Sequence, residues 1–159
     1  MIFLEIFLVG VGACLIFDLW QRMFQKMTGI PPSDWAFVGR WCLGVVARGR
    51  LVGHDLAAIP QFVNELTFGW VVHYAVAVGY AAVYAGLMTL GWIEAGFGDG
   101  LLFGVISVSV PWLFFLPCLG KGVFGRLTPN PPLVCALALM MHALFGVSIG
   151  MGFFLLRGL

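Results

Sequence analysis

Five side chains that can exchange protons or form strong hydrogen bonds interrupt the apolar stretches of this sequence: Asp18, His73, Tyr80, Tyr84 and His142. Carboxylate and imidazole groups take up and release protons, and an ionisable group within an apolar span is costly to bury. His73, Tyr80 and Tyr84 recur at the spacing of one helix face. We predict that the five residues line a polar interior, as a ligand site or a proton path.

Each of these residues also has a structural interpretation. The rings of Tyr80 and Tyr84 would pack in the core while each hydroxyl bonds a neighbouring carbonyl. His142 would form a hydrogen bond between helices that fixes their packing. Asp18 would pair with Arg22, one helical turn later. The sequence leaves both interpretations open.

No motif for covalent or metal chemistry accompanies these residues. The sequence contains no nucleophile elbow, phosphate-binding glycine loop or metalloprotease motif. Its four cysteines are scattered and predict neither a disulfide framework nor a metal site. The two membrane histidines, His73 and His142, would differ in depth by about 9 Å, too far for a shared haem. We predict no catalytic residue, no metal and no cofactor.

The elements that must position these residues are four long hydrophobic blocks. Hydrophobic residues make up 62% of the chain and charged residues 9%, which is typical of a membrane protein. Crossing a bilayer takes about 20 residues, and hydrocarbon forces the backbone of each block into a helix. We predict one all-α integral membrane domain over residues 1–159, a four-helix bundle whose spans are residues 2–23, 69–92, 101–119 and 133–156.

Residues 28–68 form the sizeable segment outside the membrane. Phe37, Trp41 and Val45 recur every four residues, which predicts a short interfacial helix over residues 33–47 with Ser33 as its N-cap. A second helical stretch is predicted to begin near His54 and to be disturbed at Pro60.

Three polar residues of this segment, Arg40, Asn64 and Glu65, are predicted to form a polar mouth on the cytoplasmic side. The alternative is that water simply solvates them at the protein surface.

Small residues predict where helices approach closely. Gly79 and Gly86, with alanines at the same spacing, form one stripe, and Gly146 and Gly150 form another on the face of His142. Pro111 predicts a kink in the third span.

The distribution of charge predicts the orientation. Seven of the eight basic residues lie before the second block or between the third and fourth blocks: Arg22, Lys26, Arg40, Arg48, Arg50, Lys121 and Arg126. The positive-inside rule places that side in the cytoplasm and both termini in the periplasm. A net charge of +1 gives no indication of nucleic-acid binding.

Five short strings together resemble one family of small bacterial inner-membrane proteins, the domain-of-unknown-function family 2938. They are Asp18-Leu19-Trp20, Val38-Gly39-Arg40-Trp41, Gly69-Trp70-Val71-Val72-His73-Tyr74, Thr128-Pro129-Asn130-Pro131 and His142-Ala143-Leu144-Phe145-Gly146. The family pattern has Gly-Glu where this chain has Asn64-Glu65. The resemblance implies a multi-pass protein of the bacterial inner membrane and brings no activity with it.

These features favour a small transporter, channel or proton-coupled permease component. Four helices enclose little space, so a homo-oligomer or association with other membrane subunits is expected. An accessory or structural subunit of a larger membrane complex is the alternative. An enzyme acting on lipid comes third, because the spans carry few polar residues.

Overall fold

The computed structural model describes residues 2–49, 51 and 56–158, with the side chain of Ala57 left out. Every regular element within these residues is helical. Four helices are long and apolar enough to cross a membrane, and they are Ile2–Thr28, Glu65–Thr89, Phe97–Cys118 and Pro131–Arg157. The predicted start of a helix at His54 lies outside the described residues, and a short 3-10 helix follows at Leu56–Ala58.

Three of these helices are α1 (Ile2–Thr28), α3 (Glu65–Thr89) and α6 (Pro131–Arg157), and their ends differ from the predicted ends of the hydrophobic blocks. Polar residues with good helix propensity carry α1 past residue 23. The helix ends where Gly29 adopts a left-handed φ of 75° and donates its N–H to the Gln25 carbonyl. Hydropathy therefore locates the spans, but capping residues fix their ends.

The helix predicted between the first two spans is α2 (Trp35–Arg48). Its N-cap is Asp34 rather than Ser33, because the Asp34 carboxylate accepts the N–H groups of Ala36 and Phe37. Gly49, with a left-handed φ of 66°, closes the other end by donating to the Val45 carbonyl. That α2 lies on the membrane surface stays a prediction.

The third span is divided into α4 (Phe97–Ser107), a π-helical turn (Pro111–Phe115) and the short α5 (Leu116–Cys118). It begins at Phe97, before the predicted residue 101, since Gly98 and Asp99 do not interrupt the helix. The predicted disturbance at Pro111 takes the form of a widened turn. Proline has no N–H to donate along the helix, and such widened turns accommodate the lost bond.

The chain divides into two compact units. Unit 1 comprises Met1–Ser33, Tyr74–Ser107 and Leu139–Leu159, and unit 2 comprises Asp34–His73 and Val108–Ala138. The core of unit 1 combines small residues with a few large ones: Val9, Ala13, Cys14, Ala77, Ala81, Tyr84, Ala85, Phe145, Ile149 and Phe153. The smaller core of unit 2 consists of Trp41, Leu56 and Cys118, and the rings of Trp41 and Phe115 pack edge to face at 5.8 Å between centroids.

Candidate functional site

His142 in α6 contacts a serine of α4 within unit 1. Its Nδ1 lies 3.0 Å from the hydroxyl of Ser107, a residue buried to 7% exposure. The same hydroxyl lies 2.9 Å from the carbonyl oxygen of Gly104, to which it donates. A hydroxyl carries one proton, so when Ser107 donates to Gly104, Nδ1 of His142 must supply the hydrogen of the other bond. When the hydroxyl turns toward His142, Nδ1 becomes the acceptor.

A buried tyrosine hydroxyl belongs to the same group. The ring of Tyr80 packs edge-on against His142 at 5.9 Å between centroids and against Phe145 at 5.8 Å. Among the residues that the structure describes, the Tyr80 hydroxyl has no hydrogen-bond partner. An unpaired buried hydroxyl is costly, which makes this a notable feature of a packed apolar interior. We call Tyr80, Ser107 and His142 the imidazole cluster.

Glycines bring α4 and α6 close enough to form this cluster. A Cβ atom added at Gly104 would overlap the His142 carbonyl oxygen, and one added at Gly146 would overlap Gly104. Gly100 meets Gly146 and Gly150 in the same way one turn along. Gly146 and Gly150 of α6 therefore lie against Gly100 and Gly104 of α4.

The second predicted glycine stripe behaves differently. Cβ atoms added at Gly79 and Gly86 would meet no atom of the described residues within 4 Å, and both glycines are exposed. The face of α3 that packs in unit 1 instead carries Ala77, Ala81 and Ala85. Among the described residues nothing packs against Gly79 and Gly86, and that they mark a packed face stays a prediction.

Asp18 lies in a polar contact of its own within unit 1. It is 8% exposed, and the hydroxyl of Tyr74 donates to its Oδ2 across 3.1 Å. The expected partner Arg22 is exposed, whereas Gln21, 6% exposed, accepts the backbone N–H of Ser33 at 2.7 Å. Polar groups at this end of α1 therefore bond inward to protein groups.

Tyr84 matches the structural interpretation. It has no exposed surface, its hydroxyl donates to the Glu94 carbonyl at 2.7 Å, and its ring stacks on Phe153. The hydroxyl already has its acceptor, so Tyr84 ties the end of α3 to the following turn.

Arg40 and Glu65 form a buried ion pair in unit 2. Nε of Arg40 donates to Oε2 of Glu65 at 2.9 Å, and Nη2 donates to Oε1 at 2.6 Å. The guanidinium also donates to the Leu56 carbonyl at 3.4 Å, and the backbone N–H of Phe62 donates to Glu65 at 3.1 Å. The hydrogen bond with Glu65 raises the pKa of Arg40, and burial acts in the opposite direction.

Two glycines let α2 and α3 meet at this ion pair. A Cβ at Gly39 would overlap the Glu65 carbonyl, and a Cβ at Gly69 would overlap the Trp35 carbonyl. Arg40 and Glu65 are 7% and 8% exposed, so the two charged side chains of the predicted polar mouth bond each other and are largely buried. Asn64 is exposed and has a left-handed φ of 64°, a conformation that asparagine tolerates.

His73 belongs to an aromatic group of unit 2. Its ring stacks on Trp35 with 3.6 Å between centroids, and the edge of Trp70 lies 5.8 Å away. The structure thus gives the predicted residues different surroundings. His142 and Tyr80 meet in unit 1, while His73 stacks on tryptophan in unit 2.

The sequence did not indicate that Ser107, Gly100, Gly104 and Tyr74 belong to these sites. The spacing of Gly100 and Gly104 by one turn was a usable signal, since the same spacing at Gly146 and Gly150 pointed to close packing. Ser107 carried no such signal, because serine is common in membrane helices and bonds its own backbone.

Comparison with known proteins identifies a family and no function. The profile of a family described as "Protein of unknown function (DUF2938)" matches residues 7–155. Searches of curated proteins and of solved structures found no match.

Proposed function

The chain belongs to the DUF2938 family, and because that description assigns no activity, we propose from the site itself that the protein is a proton-coupled transport component of a membrane. The imidazole cluster carries this proposal. It places an ionisable ring between two candidate spans, in contact with a hydroxyl that can either donate to it or accept from it. Asp18 with Tyr74 is a second buried polar contact of unit 1.

The Ser107 hydroxyl gives His142 two alternative proton arrangements. Rotation of one O–H bond switches Nδ1 between donor and acceptor, and the Gly104 carbonyl accepts the hydroxyl proton in one of the two arrangements. The imidazole can therefore change its tautomer without leaving Ser107 unpaired. Relays of this kind need each group to be satisfied before and after transfer.

The Tyr80 hydroxyl offers the next site for a proton. The Tyr80 ring packs against His142, and the hydroxyl is buried without a partner among the described residues. A water molecule or a transported polar group that enters here would form a hydrogen bond with the Tyr80 hydroxyl. Its binding would be stronger because it removes the cost of an unpaired buried hydroxyl.

The groove between α1 and α6 does not serve as this path. It has a volume of about 240 Å³ and is lined by apolar residues and Ser148. The Ser148 hydroxyl already donates to the Leu144 carbonyl. A proton path through the imidazole cluster would therefore follow residues other than those that line this groove. The homo-oligomer stays a prediction.

Proton uptake by sealed vesicles tests the proposal. The purified protein is reconstituted with a pH-sensitive dye inside, and a potassium diffusion potential drives protons inward. We expect uptake above that of protein-free liposomes, and we expect His142→Ala to abolish it. Ser148→Ala removes a hydroxyl from the same helix and should leave uptake unchanged.

The outcomes separate two ways of being wrong. If the native chain takes up no protons, the proposed transport function is wrong. If a folded His142→Ala variant takes up protons as fast as the native chain, the protein transports protons but His142 is not part of the path.

An accessory subunit of a larger membrane complex is the second candidate, and the exposed face of α3 favours it. Ala75, Gly79, Ala82 and Gly86 are all exposed there, although this chain uses glycines elsewhere for close helix packing. Native mass measurement after gentle extraction distinguishes the candidates. A different protein bound in fixed ratio supports the accessory role, and a self-oligomer with proton uptake supports transport.

A further inference from the structure

The loop of residues 120–128, which we call the basic loop, carries two exposed cations, Lys121 and Arg126. Neither takes part in the ion pair found among the described residues, which joins Arg40 to Glu65. The basic loop follows the span Phe97–Cys118 directly and precedes Pro131–Arg157. Its charges therefore sit where a membrane-spanning helix ends.

Hydrogen bonds hold the basic loop closed. The backbone N–H of Leu127 donates to the Lys121 carbonyl at 2.9 Å, and that of Gly125 donates to the Gly122 carbonyl at 3.0 Å. Thr128 bonds the Gly125 carbonyl through both its backbone N–H, at 2.8 Å, and its hydroxyl, at 2.6 Å. Lys121 and Leu127 are thus kept side by side.

Side-chain contacts fix the rest of the basic loop. A Cβ at Gly122 would approach Cγ of Arg126 and Cγ of Leu127, each to 2.9 Å, so the stem of Arg126 lies against this glycine. The Phe124 ring packs on Trp112 at 5.4 Å, and the thiol of Cys135 donates to the Phe124 carbonyl.

Apolar side chains stand beside the cations. Phe124 is 46% exposed and Leu127 is 69% exposed. Exposed aromatic and aliphatic groups next to lysine and arginine at the end of a span are typical of the layer where headgroups meet acyl chains. A soluble anion would gain nothing from these two apolar groups.

We propose that the basic loop is a binding surface for an anionic glycerophospholipid. Lys121 and Arg126 pair with the headgroup phosphate, and Phe124 and Leu127 contact the upper acyl chains. The partner follows from charge complementarity, since unpaired cations in the headgroup layer attract anionic lipid. This surface lies in unit 2 and is independent of the imidazole cluster.

Native mass spectrometry of the full-length protein in detergent tests the surface, with phosphatidylglycerol and phosphatidylcholine as probes. We expect the double variant Lys121→Gln/Arg126→Gln to lose roughly 30-fold in affinity for phosphatidylglycerol, at about fivefold per cation. Its affinity for phosphatidylcholine should not change. A matched control is Arg22→Gln/Lys26→Gln, which removes two exposed cations of α1.

Equal losses in the two double variants would overturn the proposal, because the effect would then be one of overall charge. Leu127→Ser separates lipid from free phosphate. It should weaken phosphatidylglycerol binding while the protein keeps its melting temperature. The choice of a lipid would be overturned if inorganic phosphate displaced the lipid and if Leu127→Ser bound phosphatidylglycerol as tightly as the native chain.

Discussion

At the scale of single residues, the chemistry of His142 depends on Ser107. The serine hydroxyl contacts both the imidazole and the Gly104 carbonyl, so its one proton determines which tautomer of His142 is satisfied. The imidazole of His73 has a different neighbour, the indole of Trp35. Two histidines of similar apolar sequence context therefore have different chemical surroundings.

Replacing Ser107 with alanine should change His142 without displacing it. We expect the ¹⁵N spectrum of histidine-labelled protein to show a shifted tautomer population, since Nδ1 loses its partner. Stability should fall by about 1 kcal/mol, the usual cost of a lost interhelical hydrogen bond. Ser148→Ala, which removes a hydroxyl bonded within its own helix, should leave the spectrum of His142 as it is.

The Arg40–Glu65 pair makes a second prediction at this scale. Removing one partner leaves a buried charge unpaired, so Arg40→Ala and Glu65→Ala should each lower the melting temperature by several degrees. The double variant Arg40→Met/Glu65→Leu should lose less than either single variant, because no unpaired charge remains. Arg48→Ala, at an exposed position of α2, is the control. Equal melting temperatures for all four variants would contradict this account.

The sequence indicated most of the polar residues but few of their partners. Asp18, Tyr80 and His142 stood out because polar groups are rare in apolar spans. Ser107 and Tyr74 did not, because pairing across helices depends on rotation and depth that hydropathy does not determine. For Asp18, the helical spacing pointed to Arg22 one turn away on α1, and it did not reveal the bond from Tyr74 of another helix.

At the scale of elements, glycine positions decide which helices meet. Gly100 and Gly104 of α4 face Gly146 and Gly150 of α6, and Gly39 of α2 faces Gly69 of α3. A glycine stripe in the sequence predicts a surface suited to close approach, but it does not reveal whether a partner covers it. Gly146 therefore lies against another helix, whereas Gly79 meets no atom of the described residues.

A single methyl group should distinguish the two kinds of glycine. Gly104→Ala places a Cβ on the backbone of α6, and we expect a loss of about 1–3 kcal/mol in detergent unfolding, typical of overpacking. Gly79→Ala meets open space and should be neutral or slightly stabilising, since alanine favours helix. A destabilised Gly79→Ala variant of the purified native oligomer would instead show that another chain covers this face.

At the scale of the whole molecule, four candidate spans and a one-sided distribution of basic residues define a topology that can be measured. The spans were predictable because their hydrophobic blocks are long. Their ends were less so, because local caps such as Asp34 and Gly29 set them. The division into two units was not predictable, since it depends on contacts far apart along the chain.

Cysteine accessibility tests the predicted orientation. With intact cells and a membrane-impermeant maleimide, Trp92→Cys should be labelled and Lys121→Cys should be labelled only after the cells are lysed. Both positions are exposed, so burial does not limit the reaction. Labelling of the unsubstituted chain gives the background from its native cysteines. Labelling of Lys121→Cys in intact cells would show that the orientation is opposite to the predicted one.

The ion pair between α2 and α3 also has a consequence during synthesis. Glu65 follows Arg40 by 25 residues, and a ribosome adds about 5–20 residues per second. For roughly one to five seconds the nascent α2 therefore has its guanidinium but not the carboxylate that will neutralise it. During that interval water, lipid phosphate or a chaperone must solvate Arg40, and the emergence of α3 ends this dependence.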